Sequence, residues 1–469
     1  MRDATSRPGQ VALAGAACST VAVGAVLTGH PLFLVAAGVA PIAAVVAFRN
    51  PFLLCLLFVL LTFFRLHEAF PVLNPLRLPQ LVAIGTLAVL GAHLAARRVQ
   101  IAWNRPLRLF AIFFALITLG VLAATGRDIA IAYWTDTFVK IGIMTFAIAS
   151  LARAPADFAL ASRAFVVAGM LVALVALYNS ANGIGLVEGT RVTIGRDIGS
   201  VLGDPNDLSL VLLFPISFAA ALLLTRGTGL LSRLLGLAGI VAIALAILAT
   251  QSRGGLLGIV AVGATFAAGR IRSRAVLVTG GIVALLALFL VAGISGRSSG
   301  GAAEAGAIDE SAEGRLHAWI AAMRMALYRP LTGVGLNNYV ANYYDYSDWW
   351  EGFAKAVHST WFSVLAEGGP IAFGVFMAMI IAVFRSALRS VRLSSPAVSG
   401  AAYDPATHAM AQSVLAGMAG FAVSGTFLTQ GFTWPVYILL ALSVAVERRV
   451  AAGACDAPSP VRSFPRGRA

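Results

Sequence analysis

The amino-acid sequence predicts an all-α protein, a polytopic transmembrane helical bundle of about 12–14 spans with one long helical and aromatic extracytoplasmic loop. Composition is the first observation behind this prediction: 59% of the 469 residues are hydrophobic and only 12% are charged. The second is a series of apolar runs long enough to cross a bilayer as helices. The third is that basic residues stand at the ends of these runs, so the net charge of +14 indicates membrane topology and not nucleic-acid binding.

The apolar runs define the predicted elements in chain order. The first three are joined by very short connections, and a pair could form a re-entrant hairpin, which leaves a twelve-span arrangement open. The runs lie at 11–28, 31–48, 51–64, 79–96, 106–124, 131–151, 160–179, 206–225, 234–250, 254–269, 275–295, 358–384, 409–428 and 432–447.

The distribution of Lys and Arg predicts the orientation of these spans. With a cytoplasmic N-terminus, basic residues fall inside roughly twice as often as outside, whereas acidic residues show the opposite bias. Both termini are therefore predicted to be cytoplasmic, with the first run acting as an anchor and not as a cleaved signal. The inside clusters are Arg97, Arg98, Arg105 and Arg108, then Arg270, Arg272 and Arg274, then Arg385, Arg389 and Arg392, and finally the basic tail 448–469.

The three cysteines, Cys18, Cys55 and Cys455, exclude a disulfide scaffold and a structural zinc site. Two of them lie in apolar runs and one in the tail, so neither an extracytoplasmic pair nor metal-ligand spacing is present.

The connection 297–357 is the longest predicted extracytoplasmic loop. Its Gly/Ala/Ser-rich start, Ser298 to Ala307, is predicted to be flexible, and Glu313 to Tyr328 is predicted to be a helix that ends before Pro330. An apolar stripe with helical spacing runs along this helix. Its members are Leu316, Ile320, Met323 and Leu327, and an aromatic segment follows at Tyr339, Tyr343, Tyr344, Tyr346, Trp349, Trp350 and Phe353. That segment has two readings, an interfacial belt or a surface on which sugar rings stack.

Four arginines, Arg191, Arg196, Arg253 and Arg315, lie on the predicted outer side, against the usual depletion of basic residues there. Snorkelling or pairing with a nearby carboxylate would explain any one of them. As a set they favour a phosphate site, because the planar guanidinium matches phosphate oxygens.

His358 is the candidate general base. It stands at the predicted outer mouth of a span, between Lys355 and Glu367 and next to the aromatic segment. A neutral imidazole can take a proton from a hydroxyl near neutral pH. The alternative is an ordinary interface residue, and His317 on the loop helix is the weaker candidate.

An ordered set of short segments between Arg191 and Gly374 resembles the O-antigen ligase and polymerase superfamily of bacterial membrane glycosyltransferases. One departure is Ser359 directly after the histidine, where the family often has Asn. The segments are Gly203-Asp204-Pro205-Asn206-Asp207-Leu208, Thr250-Gln251-Ser252-Arg253-Gly254-Gly255, Gly314-Arg315 with Trp319, Pro330-Leu331-Thr332-Gly333-Val334-Gly335 followed by Asn338, and His358 with Glu367-Gly368-Gly369.

The resemblance implies a glycosyltransferase of the bacterial inner membrane whose donor is an undecaprenyl-diphosphate-linked oligosaccharide, with a glycan or lipid-linked acceptor and no cofactor or metal. It implies that Arg191, Arg253 and Arg315 bind the diphosphate and that His358 deprotonates the acceptor for inverting attack. Supporting roles would fall to Arg196, Asn338, Glu367 and Trp319. The predicted organisation is N-terminal spans at 1–179, a ligase-like core at 180–385, C-terminal spans at 386–447 and the tail at 448–469.

Three reactions share this framework: ligation of O-antigen to lipid A-core, polymerisation of repeat units, and transfer to protein. An extra domain that would grip a protein acceptor is not evident in the sequence, and the aromatic loop suits a long glycan, which favours polymerisation over ligation. A transporter or flippase of lipid-linked glycans is the alternative from another class, because 12–14 spans is also the size of a transporter. Charged residues within spans would fit that class, but Asp136 and Lys140 are four residues apart and can pair on one helix.

Overall fold

The computed structural model of the protein describes residues 50–65, 78–198, 200–292, 312–350 and 352–455, with a few isolated positions between 15 and 49. The predicted runs 11–28 and 31–48 and the segment Ser298 to Ala307 fall largely or wholly outside the described residues. Within the described part the protein is all-α and contains no strand, which confirms the predicted fold class.

Fifteen α-helices of seven or more residues lie in the described part of the chain and are numbered here in chain order. Each predicted apolar run from 51–64 onwards overlaps one of them, except 131–151, which covers the end of α4, a π-helical turn and α5. They are α1 Pro51–Phe63, α2 Leu78–Ala95, α3 Arg105–Leu122, α4 Arg127–Tyr133, α5 Val139–Leu151, α6 Pro155–Asn182, α7 Pro205–Leu224, α8 Leu230–Thr250, α9 Arg253–Ala268, α10 Arg274–Val291, α11 Ala312–Tyr328, α12 Tyr339–Tyr346, α13 Thr360–Leu393, α14 Pro405–Ser424 and α15 Trp434–Cys455.

Seven of the described helices, α2, α3, α6, α7, α8, α10 and α13, are long and apolar enough to cross a membrane by length and composition. The helices α1 and α9 are apolar but shorter, and a π-helical turn, Trp134–Phe138, joins α4 to α5. The total of 12–14 spans stays a prediction. The predicted domain boundaries after 179 and 385 fall inside α6 and α13.

Helix ends meet in two layers, as a chain that crosses a membrane back and forth requires. In one layer Asn104, before α3, donates to Glu447 of α15, and Thr225, after α7, donates to Gln412 of α14. In the other layer the backbone of Gly126 and the side chain of Asn338 form two hydrogen bonds with each other. We call the second layer, which carries the predicted site residues, the outer layer; its extracytoplasmic location stays a prediction.

The central helix of the bundle is α7, most of whose residues are buried. Glycines let its neighbours approach closely: a Cβ at Gly169 of α6 would lie 2.4 Å from Pro215, and one at Gly258 of α9 would lie 2.3 Å from Leu213. The first turn of α7 is thereby fixed in the middle of the outer layer.

The helix α13 bends sharply at Gly369, which has a left-handed φ of 76° and is followed by Pro370. Trp361 and Phe376 would be about 22 Å apart along a straight helix, yet their ring centroids lie 6.2 Å apart. The predicted run 358–384 is therefore two limbs, 360–368 and 370–393. The first limb folds back, so that the Thr360 amide donates to the carbonyl of Gly425 at the end of α14 at 2.8 Å.

The loop helix predicted over Glu313 to Tyr328 is present as α11, but its apolar stripe is not the face that packs. Small residues make the packing face: Ala318, Ala321 and Ala322 are fully buried with Met325. They contact α12 and the first limb of α13. Alanines allow this close approach, which larger side chains would prevent.

Candidate functional site

Three helices begin close together in the outer layer: α7 at Pro205, α9 at Arg253 and α13 at Thr360. Gly254 of α9 lies against Leu428, and the Leu428 carbonyl accepts a hydrogen bond from the Thr360 hydroxyl at 2.8 Å. Gly255 lies against Ser209 in the first turn of α7. Helix N-termini carry partial positive charge. At α7 the side chain of Asp204 accepts from the first-turn amides, and at α9 Ser252 does so, which leaves the start of α9 as the one of these two without a carboxylate.

Arg191 is buried and connects two of these helix starts. Its Nε–H donates to the Thr250 carbonyl at 3.2 Å and its Nη2 donates to Asn206 Oδ1 at 3.0 Å, while Nη1 lies 3.7 Å from Glu188 Oε1. A tight turn with left-handed residues at Glu188 and Gly189 brings Arg191 to this position. The guanidinium thus holds the α8–α9 turn against the start of α7.

Arg253, the first residue of α9, is exposed. Within the described part of the chain it makes no hydrogen bond or ion pair, in contrast to Arg191. Ser252 caps α9 by accepting from the Gly255 amide at 3.3 Å. The turn is therefore fixed while the Arg253 guanidinium stays available. Arg196 is also exposed, and its backbone lies against Gly203.

Asp207 and Gln430 form a polar contact that the sequence did not single out. The Gln430 side-chain amide donates to Asp207 Oδ1 at 2.9 Å, and the Gln430 backbone amide donates to the Thr360 hydroxyl at 3.1 Å. Gln430 is 6% exposed. This pair joins α7 to α13 through the loop after α14. In the sequence, the one feature that pointed to this contact was the position of Asp207 in the Gly203–Leu208 segment.

His358 stands two residues before α13 and has a left-handed φ of 43°, which is unusual for a residue with a side chain. Trp319 of α11 fixes this segment, because its indole N–H donates to the Val357 carbonyl at 3.0 Å and its ring stacks on Phe362 at 5.0 Å. Arg315 lies one turn before Trp319 on the same side of α11. The structure thus brings His358 and Trp319 together at the start of α13, and Arg315 lies one turn further back on α11.

Buried hydroxyl groups also surround the start of α13. Ser359 and Ser363 are each 1% exposed, and their Oγ atoms have no hydrogen-bond partner among the described residues. They lie directly after His358 and one turn later. Ser359 occupies the position where the family often has Asn.

Glu367 and Asn338 are engaged with the backbone. Glu367 accepts from the amides of Asn337 at 2.8 Å and Tyr339 at 3.4 Å, and so supports the start of α12. The Asn338 side chain accepts from the Gly126 amide at 2.9 Å and donates to the Gly126 carbonyl at 3.1 Å. Both residues hold the loop that fills the bend of α13, where a Cβ at Gly333 would lie 2.2 Å from the Ala366 carbonyl oxygen.

The aromatic segment splits into buried and exposed members. Tyr339 is buried and donates to the Ala318 carbonyl at 2.8 Å, and burial raises the pKa of its hydroxyl. Tyr343 is buried as well, whereas Tyr344 and Trp350 are 63% and 42% exposed. His317 stacks on Trp349 with ring centroids 3.9 Å apart, away from the contacts that surround His358. Only the exposed members are available to a glycan.

Among the described residues, no group of three or more His, Cys, Asp or Glu side chains is arranged to hold a metal ion. The metal-free site stays a prediction.

Residues 238–377 match the family model described as O-antigen ligase. The match confirms the resemblance to the O-antigen ligase and polymerase superfamily, and it includes Arg253, Arg315 and His358, while Arg191 and Arg196 precede it. Comparison with curated proteins gives no match.

Proposed function

We propose that the protein is a metal-independent, inverting membrane glycosyltransferase that transfers or polymerises an undecaprenyl-diphosphate-linked glycan at the outer face of the bacterial cytoplasmic membrane. The O-antigen ligase domain implies glycosyltransferase-like activity on lipid-linked glycans. The product would be an exopolysaccharide or O-antigen.

The meeting of three helix N-termini beside an exposed arginine carries this proposal. A diphosphate is a compact anion, and the starts of α9 and α13 offer it partial positive charge, whereas the carboxylates of Asp204 and Asp207 offset that of α7. Arg253 adds a full charge and a planar set of donors. An outer-layer position beside apolar helices suits a donor whose headgroup is charged and whose tail is lipid.

In the proposed reaction His358 acts as the general base and Arg253 stabilises the leaving group. His358 takes the proton of the acceptor hydroxyl while that oxygen attacks the anomeric carbon of the donor. The bond from this carbon to the phosphate oxygen breaks, and its electron pair leaves with the diphosphate. Arg253 stabilises the charge that develops on the departing group. Attack opposite the leaving group inverts the anomeric configuration.

The other site residues position these two. Arg191 adds positive charge near the diphosphate and holds the turn that presents Arg253. Trp319 holds the backbone next to His358, and Arg315 extends the basic surface from α11. Asn338 and Glu367 fix the loop that supports α11 and α12. Arg196 lies on the outer rim of the same surface.

Polymerisation is favoured over ligation to lipid A-core because the acceptor is then a second lipid-linked glycan. Such an acceptor meets the exposed rings of Tyr344 and Trp350 at the outer surface.

A transporter or flippase is the second candidate, and Asp136 is the observation that favours it. This carboxylate is exposed in the π-helical turn of a predicted span, and among the described residues it forms no ion pair with Lys140. Charged groups at membrane depth are typical of transport pathways.

Purified protein in proteoliposomes with an undecaprenyl-diphosphate-linked repeat unit tests the proposal. A ladder of longer lipid-linked glycans means polymerase, and transfer that requires added lipid A-core means ligase. Movement of the donor across the bilayer without a new glycosidic bond would refute the transferase and support a transporter. Gene deletion gives the matching cellular result: single repeat units accumulate for a polymerase, and finished chains remain on the carrier for a ligase.

A further inference from the structure

The loop helix α11 has two apolar faces on opposite sides. One consists of small residues and Met325 and is buried against α12 and α13. The other is the stripe seen in the sequence, and it is open: Leu316 is 54% exposed, Met323 41% and Leu327 76%. At about 100° per residue, the open stripe points directly away from the buried face.

The open face continues beyond the end of α11. Tyr328 is 76% exposed and Leu331 is 71% exposed. Contiguous apolar patches of this kind are rare on surfaces that face water and mark a binding surface. The stripe, Tyr328 and Leu331 are called the open face below.

Contacts at the end of α11 join the open face to the outward side of a spanning helix. Arg329 donates to the carbonyl of Ala123, just after α3, at 3.5 Å. Thr332 lies against Gly120, within about 4 Å of the position a Cβ would take there. On either side of Gly120, Leu119 and Leu122 are 63% and 69% exposed. These leucines face lipid if α3 spans the membrane, so the open face begins where the lipid-facing surface of α3 ends.

We infer that α11 is an interfacial helix whose open face lies in the outer leaflet, at the boundary between headgroups and acyl chains. Such a helix buries an apolar face in the bilayer while the rest of its surface contacts protein or water. Tyr328 at the edge of the face is typical of this depth, because tyrosine prefers the membrane interface. The exposed Glu313 begins the helix and remains among the headgroups. This inference does not depend on the transferase reaction.

Depth-dependent fluorescence quenching tests the inference in the full-length protein in nanodiscs. Cys18 and Cys455 are replaced by alanine, the buried Cys55 is kept, and a polarity-sensitive bimane label is attached to Met323→Cys or Leu327→Cys. Asp345→Cys is the matched control, because Asp345 is exposed on α12, outside the open face. Quenchers are iodide in the buffer and lipids with a nitroxide on the acyl chain.

Labels at 323 and 327 should emit at shorter wavelength than the label at 345. They should lose intensity with nitroxide lipid and resist iodide, whereas the control label should respond to iodide. Quenching of 323 and 327 by iodide alone would place the face in water and overturn the inference. Resistance to both quenchers would also overturn it, since another protein segment or a second copy would then cover the face. The labelled positions 323, 327 and 345 are all exposed, so folding should not obscure the result.

Discussion

Substitution of Arg253 should remove activity without loosening the fold, and this separates a ligand-binding arginine from a structural one. Arg253 is exposed and makes no hydrogen bond or ion pair within the described part of the chain. An exposed side chain of this kind contributes within about 0.5 kcal/mol to stability. Loss of one preorganised donor to a developing anion typically costs about 10²–10³-fold in turnover, or about 3–4 kcal/mol. Arg253→Ala should therefore fold normally and turn over at least about 10²-fold more slowly.

Arg191 gives the contrasting result. Its substitution by alanine leaves the Thr250 carbonyl and the Asn206 side chain without a buried donor, which costs about 1–3 kcal/mol. Arg191→Ala should thus lower both the thermal stability in detergent and the turnover. Its loss of activity comes at least partly through displacement of the turn that presents Arg253.

The assay measures turnover of a lipid-linked donor in proteoliposomes alongside the temperature of half-aggregation in detergent. Arg127→Ala is the matched control, because Arg127 is likewise an exposed arginine at the first position of an outer-layer helix. Arg253→Lys should rescue poorly, since an ammonium lacks the planar pair of donors. Turnover of Arg253→Ala equal to that of Arg127→Ala, or wild-type turnover of Arg253→Lys, would refute the role given to this guanidinium.

Three further predictions concern the loop and the base. His358→Ala should slow turnover by about 10²–10⁴-fold with donor binding nearly unchanged, and His317→Ala should have a much smaller effect; equal losses in a single-turnover assay would contradict the base. Asn338→Ala should lower stability in detergent by about 1–3 kcal/mol, because it leaves buried backbone groups unpaired; an unchanged aggregation temperature would contradict this. The ion pair with Arg324 lowers the pKa of Asp348. The stabilisation of the fold by this ion pair is therefore fully present above the ordinary carboxyl pKa, and it is lost as the pH falls through the lowered pKa of Asp348. The protection factors of the α12 amides, which are corrected for the intrinsic exchange rate at each pH, should fall on acidification. Asp348→Asn should remove that pH dependence.

Much of the helical framework could be predicted because hydropathy and capping are local. The predicted helix Glu313 to Tyr328 is observed as Ala312–Tyr328, and the run 206–225 is observed as Pro205–Leu224. Asp204 before Pro205 accepts from the amides of Asn206 and Asp207, as an N-cap residue does. These signals lie within a few residues of the feature they determine.

The parts that could not be predicted depend on contacts between distant segments. Gly369 and Pro370 are a local signal for a break in α13, but they do not indicate that its first limb folds back, because the bend is filled by Gly333 and Leu331 from another loop. The apolar stripe of α11 is visible in the sequence, but the opposite face packs against the protein. That choice depends on how closely the alanines let α11 approach α13. Likewise, the contacts of Arg191 with Thr250 and Asn206 join segments far apart in the chain, so its structural role, beside the predicted binding of diphosphate, could not be predicted.

The left-handed backbone of His358 shows how these distant contacts reach the proposed chemistry. A residue with a Cβ pays roughly 1–2 kcal/mol for this conformation, so the surrounding structure must hold it in place. On one side Trp319 binds the Val357 carbonyl, and on the other Thr360 binds Gly425 and Leu428. The backbone on both sides of His358 is thus held, by α11 at Val357 and by the residues after α14 at Thr360. In the proposed mechanism, a shift of α11 would therefore displace His358 relative to Arg253 on α9 and change the alignment of these two residues.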